Sequence, residues 1–404
     1  MSPRERHPPA ITGVGLVTAF GPSAAVTWSA VRTGRSAVRT IELDGTRVLA
    51  ASVPTDDDPA REPNIVMALD AAHEAVTDAG ITPRELAGTH TGCTLSSSKG
   101  GMKSFFRLHR AFLEGEALPA DFWQRVSAAS PGRVVARELG ITGPVVSYAA
   151  ACATGIHAVI AAVGLITSGK AEVVLAGATD ASVVQPIIAA FDRMGVLSRR
   201  YDDPEGACRP FDRTRDGFAV GEGAVVLVLE SARRAREKPE RVYAHVTGSA
   251  WGTDAYDVTR LSTRHSEIGP LIGRALADAG RSAAEVDYVN AHGTGTVAND
   301  RIESAAIRDA LGEETRRVPV SSLKGAIGHL LGAAGGTELA LTLLALRDGF
   351  VPPTRNLNDP DPECELNHVV GTGIERELKL AVKVAAGFGG HVGVVVVERG
   401  GRPG

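Results

Sequence analysis

The sequence predicts an α/β fold and points to a duplicated α/β unit, one copy in each half. Three observations carry this. Short β-branched apolar runs alternate with longer helical runs along the whole chain. In the first half an apolar run ends at Ala149 and turns at Cys152 into a long Ala/Ile/Val helix. In the second half a run ending at Ser321 passes through Ser322-Leu323-Lys324 toward another helix. Glycine-punctuated strands occur in both halves, as a duplicated unit would give. The division falls at residue 218, giving halves of 1–217 and 218–404.

The elements follow in order. Residues 10–18 read as a strand. Residues 22–33 read as a helix opened by Gly21-Pro22-Ser23. A helix over 65–79 takes Asn64 as N-cap and Gly80 as its close. Residues 89–96 form a buried strand, 100–118 and 128–139 are helical, and 145–149 form a strand. A helix over 152–168 ends at Gly169, its Gly155 and Gly164 allowing close packing, and 172–176 is a strand. The second half has β runs at 219–230 and 243–249, then a helix over 268–279 ended by Gly280. After it come a strand at 286–291, a helix at 300–311, a strand at 318–321 and a helix at 330–346 before Asp348-Gly349. Strands at 381–386 and 392–398 close the chain. The Asp/Pro/Gly/Arg-rich stretches 43–63, 198–215 and 352–367 read as loops.

Composition narrows the function classes. Hydrophobic residues at 44% and charged residues at 22% suit a globular core. A net charge of −4 without a basic block argues against nucleic-acid binding. No run approaches the ~20 apolar residues of a membrane span. Cys93, Cys152, Cys208 and Cys364 are widely separated with no CxxC pair, so neither a disulfide framework nor a zinc site is indicated. The polar start, Met1 to Pro9, carries no signal-peptide run, and a reduced cytoplasmic location is expected.

Cys152 is the most informative residue. At the first turn of a helix it meets unpaired N–H groups and the positive dipole end, which favour thiolate. Its small neighbours Ala151, Ala153 and Gly155 leave room for a substrate. Alone it reads more readily as a small apolar filler. Two histidines join it: His292 in Asn290-Ala291-His292-Gly293-Thr294-Gly295-Thr296, and His329 in Lys324-Gly325-Ala326-Ile327-Gly328-His329. Gly387-Phe388-Gly389-Gly390 is a tight turn able to bring backbone N–H groups to a ligand. Gly13-Val14-Gly15 lacks the third glycine of a dinucleotide fingerprint.

Together these segments resemble the β-ketoacyl-acyl carrier protein synthases, condensing enzymes of the thiolase-like superfamily. The likeness runs from Ile11-Thr12-Gly13-Val14-Gly15 through Asp212-Arg213-Thr214-Arg215-Asp216-Gly217-Phe218 and Gly221-Glu222-Gly223-Ala224 to the closing GFGG. The resemblance implies a layered αβαβα fold and a Cys152 nucleophile that holds an acyl chain. It implies an oxyanion hole from the N–H groups of Cys152 and Phe388. His292 and His329 would bind the malonyl thioester and promote decarboxylation. Lys324 would pair with Glu338 beside His329, Asp300 and Glu303 would be architectural, and Phe388 would act as a gate. No cofactor and no metal are implied. The partners are an acyl carrier protein and a second subunit, in a homodimer or a heterodimer with a chain-length-factor-like chain. Lys103, Arg107, Arg110, Arg199 and Arg200 are candidates for a carrier-docking patch.

Departures from the family pattern are Val384-Ala385-Ala386 before GFGG and His391-Val392 after it. The 43–63 stretch looks short for a fatty-acid elongating enzyme, and Asn299-Asp300-Arg301 leans toward the polyketide branch. The alternatives are a chain-length factor, which lacks the cysteine, a thiolase or initiating enzyme with a different residue set, and an inert carrier-binding scaffold.

Overall fold

The computed structural model describes residues 8–54, 58, 60–263, 266–402 and 404. The polar start over 1–7 and positions 55–57 and 59 of the 43–63 stretch lie outside the described residues. Nine strands form one large sheet. In chain order they are β1 (Ala10–Val17), β2 (Thr91–Ser96), β3 (Val173–Asp180), β4 (Gly223–Glu230), β5 (Ala244–Thr253), β6 (Tyr288–Asn290), β7 (Val320–Ser321), β8 (Leu380–Gly387) and β9 (His391–Arg399). The spatial order is β7-β6-β8-β9-β5-β1-β4-β3-β2.

That order resolves into two copies of one plan. From β1 outward the first half runs β4, β3, β2 and then Val145, which bridges Cys93 in parallel. From β5 outward the second half runs β9, β8, β6, β7. Pairing sense matches at every step: two antiparallel neighbours, then two parallel ones. The halves join where Ala10 and Ile11 of β1 pair with His245 and Ala244 of β5. The run 219–230, grouped above with the second half, therefore supplies β4 to the first. β4 pairs with both β1 and β3.

Helices fill three layers. One outer layer holds α1 (Pro63–Ala79), packed on β1 and β4, and the other holds the helix α3 (Ile268–Ala279), packed on β5 and β9. Gly13 and Gly15 serve this packing rather than any nucleotide: a Cβ there would lie 2.1 and 1.9 Å from the Ala75 and Ala71 carbonyl oxygens. Between the halves lie α2 (Thr154–Thr167) and α5 (Ala334–Asp348), with α4 (Val297–Leu311) outside beside α3. The central pair buries Ile156, Val159, Leu339 and Leu343 in one apolar cluster with β1, β3 and β4. α5 is buried throughout Ala334–Leu346, whereas α2 is buried over Thr154–Val159 and reaches solvent at Gly164.

Several local readings change. Residues 145–149 form one bridge rather than a strand: Val145 pairs with Cys93, flanked by the Pro144 carbonyl and the Val146 N–H on the Cys93 backbone, and the ladder goes no further. Residues Arg39–Leu43 and Thr46–Ala51 pair as a hairpin around Asp44-Gly45, so the 43–63 stretch is ordered in part. A helix over Gln185–Arg193 was not read from the sequence. The α1 N-cap is Glu62, not Asn64, whose side-chain amide is buried without a hydrogen bond. Gly155 meets the backbone of Gly336 on α5 rather than leaving room for substrate, and Gly164 faces open space. Among the described residues no helix is long and apolar enough to cross a membrane. All four cysteines are free and buried.

Candidate active site

Cys152, His292, His329 and Phe388 line one cavity of about 810 Å³, together with Phe218, Thr294, Thr296 and Asn299. Cys152 sits in a 3-10 turn, Ala151–Ala153, directly before α2. The preceding Ala151 has φ 45°, a left-handed backbone that is strained for alanine. Phe388 donates its backbone N–H toward the Cys152 sulfur. Gly387 is needed by close approach, because a Cβ would lie 2.7 Å from the Ala150 oxygen and 3.0 Å from the Cys152 nitrogen. The turn is anchored by Gly389 N–H donating to the Val258 carbonyl (2.7 Å) and Gly390 accepting from Asp254 N–H (2.8 Å).

The resting thiol departs from the thiolate expected at a helix terminus. Burial of the 8% exposed residue pushes its pKa up, against the nearby Lys99 and Lys324 charges and the Phe388 N–H, with Asp180 reinforcing the rise. Desolvation disfavours the anion more than these groups favour it.

His329 is pinned by a bridge to Val220: its N–H donates to the Ala219 carbonyl and its own carbonyl accepts from Gly221. Its Nδ1 accepts from Leu331 N–H at 3.3 Å, so the proton of the neutral ring sits on Nε2. His292 follows β6, and Glu303 on α4 accepts from the N–H groups of His292 (2.6 Å) and Gly293 (2.7 Å). The Lys324 ammonium lies 3.3 Å from His292 Nδ1 and donates to the His292 carbonyl. An ammonium only donates, so His292 also carries its proton on Nε2. Burial first, then Lys324, holds both imidazoles well below the usual histidine pKa. Both rings are therefore neutral near pH 7, with centroids 5.5 Å apart and planes at 79°.

The Lys324–Glu338 ion pair forms at 2.6 Å with both side chains fully buried. Its hydrogen bonds turn to His292 rather than His329, which differs from the expectation. Asp300 accepts from the backbone N–H groups of Phe211 (2.8 Å) and Gly295 (3.2 Å) and faces Arg215 at 3.4 Å. Asp300 and Glu303 thus hold the 292–296 turn. Burial raises both, Glu303 to about 7.

Three residues here were not read from the sequence. Asp180, at the end of β3, accepts from Ser97 and Ser98 hydroxyls (2.6 Å each) and Gly332 N–H (2.7 Å). Lys99 approaches Asp180 at 3.9 Å. Lys383, in the middle of β8, is fully buried. An ionisable residue inside a Val/Ala strand was a visible signal for Lys383. Of the candidate docking residues, Lys103 is drawn inward to the buried Glu222 at 2.9 Å, and Arg199 pairs with Asp192 at 3.2 Å.

A duplicated five-layer α/β fold with a Cys-His-His cavity between its halves defines a thiolase-like condensing enzyme. Residues 7–235 match the β-ketoacyl synthase N-terminal domain and residues 243–358 the C-terminal domain, and the chain belongs to the β-ketoacyl synthase family. It is 36% identical to the tetracenomycin polyketide synthase ketoacyl synthase alpha subunit of Streptomyces glaucescens, covering 96% of each chain. It is 33% identical to the 3-oxoacyl-[acyl-carrier-protein] synthase 2 of Coxiella burnetii, over 98% of this chain and 99% of that one. Among solved structures it is similar to a type II PKS ketosynthase bound to the hexaketide and in complex with its acyl-carrier protein. That likeness has a TM-score of 0.91 and 30% identity, over 97% of this chain and 99% of the other. The ishigamide ketosynthase/chain length factor gives a TM-score of 0.86 and 31% identity, over 98% and 99%.

Proposed function

We propose that Cys152 is acylated by an acyl carrier protein and that His292 and His329 drive decarboxylative condensation with malonyl carrier. The single observation carrying this is the pair of neutral imidazoles, both protonated on Nε2, lining one cavity with Cys152. The Cys152 sulfur attacks the acyl thioester carbonyl. The carrier thiolate leaves, and the Cys152 proton passes to it in net terms. The N–H groups of Cys152 and Phe388 hold the oxyanion. Malonyl carrier then replaces the spent carrier, and the two Nε2–H groups donate to its thioester oxygen. The bond to the carboxylate breaks, carbon dioxide leaves, and its electron pair forms an enolate that these hydrogen bonds stabilise. The enolate carbon attacks the acyl carbonyl, the carbon–sulfur bond breaks, and the Cys152 thiolate is released with the β-ketoacyl carrier. Phe388, against Phe191 at 6.4 Å, is proposed to gate the two half-reactions.

A place in type II polyketide assembly is supported by Asn299-Asp300-Arg301 and by the polyketide relatives. A two-subunit assembly is supported by exposed Val145, which bridges the edge strand β2, and by exposed Phe112, Leu113 and Trp123. Intact-mass measurement with acyl carriers tests the reading. An acyl adduct present in wild type and absent in Cys152→Ala is expected, followed by carbon dioxide release on adding malonyl carrier. No adduct with carriers of any acyl length, and no carbon dioxide, would reduce the chain to a carrier-binding subunit.

A further inference from the structure

Lys383 has no part in the chemistry above, yet it is built into its support. On β8 it pairs in register with Asn290 of β6, and its Nζ donates to the Asn290 side-chain oxygen (2.7 Å) and the Ala291 carbonyl (3.0 Å). These are the two residues leading into His292. Its third bond goes to Glu338 Oε2 at 2.5 Å, while Lys324 takes Oε1 of the same carboxylate at 2.6 Å. Alternation along β8 explains the placement. Val382 and Val384 enter the outer apolar cluster, while Ala381 and Ala385 face the central one beside α5, the helix that carries Glu338.

Resting on the condensing function proposed above, we infer that Lys383 is a positioning residue for decarboxylation: by occupying one oxygen of Glu338 and bracing Asn290–Ala291, it keeps the Lys324 ammonium on His292. Without it Glu338 is free to present both oxygens to Lys324, drawing the ammonium off His292 Nδ1 and loosening the turn that aims the ring. No hydrogen bond of this linkage reaches Cys152, on which Lys324 acts only through its charge and behind burial and Lys99.

The brace works only with a charged amine. Burial lowers the Lys383 pKa to about 8, against the raising effect of Glu338, with Lys324 lowering it further and Glu303 opposing. Tyr288 on β6 is hydrogen-bonded to Asn290 and held neutral by burial, and both active-site imidazoles are neutral, so Glu338, Lys324 and Glu303 are the charges that set it. Decarboxylation should therefore decline as pH rises through about 8.

The test compares wild type with Lys383→Met, a substitution of similar length that leaves Lys324 and Glu338 as a balanced pair. Cys152 acylation is followed by intact mass, and carbon dioxide release from malonyl carrier protein across pH 6.5–9.5. The expected result is acylation at the wild-type rate with kcat for carbon dioxide release down about tenfold, KM unchanged and the alkaline decline lost. Wild-type kcat and pH profile in Lys383→Met would overturn the inference. So would a wild-type profile with no decline near pH 8, a measurement that needs no variant to fold. Wild type that neither acylates nor releases carbon dioxide would instead overturn the parent function, and this inference with it.

Discussion

Ala151 and Leu331 occupy equivalent points of the two halves and share one backbone conformation, φ 45° and 52°. Each opens a 3-10 turn that runs into a central helix, α2 or α5. The next residue is Cys152 in one half and Gly332 in the other. Gly332 N–H is taken by Asp180, the last residue of β3. The corresponding last residue of β8 is Gly387, which offers no side chain to Cys152. One copy of the plan locks its turn with a carboxylate, and the other leaves it open beside a thiol.

The strain at Ala151 is testable. A left-handed alanine costs roughly 1–2 kcal/mol, and glycine removes that while adding roughly 0.5–1 kcal/mol of unfolded-chain entropy. Ala151→Gly should melt at or slightly above the wild-type temperature, and Ala151→Val should melt below it. A melting temperature for Ala151→Val equal to wild type would show that the turn relaxes freely.

The histidines predict a pH profile of definite sign. With both pKa values held well below the ordinary histidine value, the rings stay neutral as pH falls from 7.5 to about 6. Carbon dioxide release should hold steady across that window, and His329→Ala should abolish it while still forming the Cys152 adduct. A wild-type rate that halves near pH 6.5 would mean that the imidazoles titrate as exposed ones do.

Cys152 gives the opposite limb. Its buried thiol, with the pKa raised, should be labelled slowly by iodoacetamide at pH 7 and faster with each step upward in pH. Labelling already at its plateau at pH 7 would show a resting thiolate.

Glu338 faces two buried ammonium groups, Lys324 and Lys383. Glu338→Gln leaves both without a counter-charge, and breaking such a buried pair costs about 3–5 kcal/mol. A clear fall in melting temperature is expected, larger than for Lys383→Met. Equal effects of the two substitutions would mean that the lysines are deprotonated in the fold.

What was legible in the sequence came from local rules for Cys152, His292 and His329, and from the family resemblance for Lys324 and Glu338. Cys152, His292, His329, Lys324 and Glu338 stand in glycine-flanked segments whose order is visible along the chain, and all five meet at or beneath one cavity. The two-halves plan was legible because strand and helix periods repeat. Asp180 was not legible, and Lys383 showed only as an ionisable residue inside an apolar strand, since their partners lie in other strands and helices and only tertiary pairing reveals them. The hairpin over 39–51 was hidden because Asp44-Gly45, a tight turn with φ 46° and 75°, reads equally as loop composition. The strand expected over 145–149 failed for a related reason. Its residues favour extended backbone, but only Val145 forms a ladder bridge to a neighbouring strand within the chain.

Gly155 and Gly164 separate two uses of glycine within one helix. Both lie in α2, where glycine interrupts an otherwise favourable run by about 1 kcal/mol relative to alanine. At Gly164 an added methyl meets nothing within 4 Å, so Gly164→Ala should stabilise the protein by up to ~1 kcal/mol. At Gly155 the same methyl would lie 2.8 Å from the Gly336 backbone nitrogen, where no side chain can swing aside. The contact joins α2 and α5, the two helices that follow Cys152 and His329, so the clash would force these helices apart. Gly155→Ala should lose about 1–3 kcal/mol by overpacking and reduce condensation together with stability. The pair is read by thermal melting on otherwise identical proteins. Equal shifts of either sign would show that helix propensity alone decides both positions and that the close approach of α2 to α5 is not under constraint.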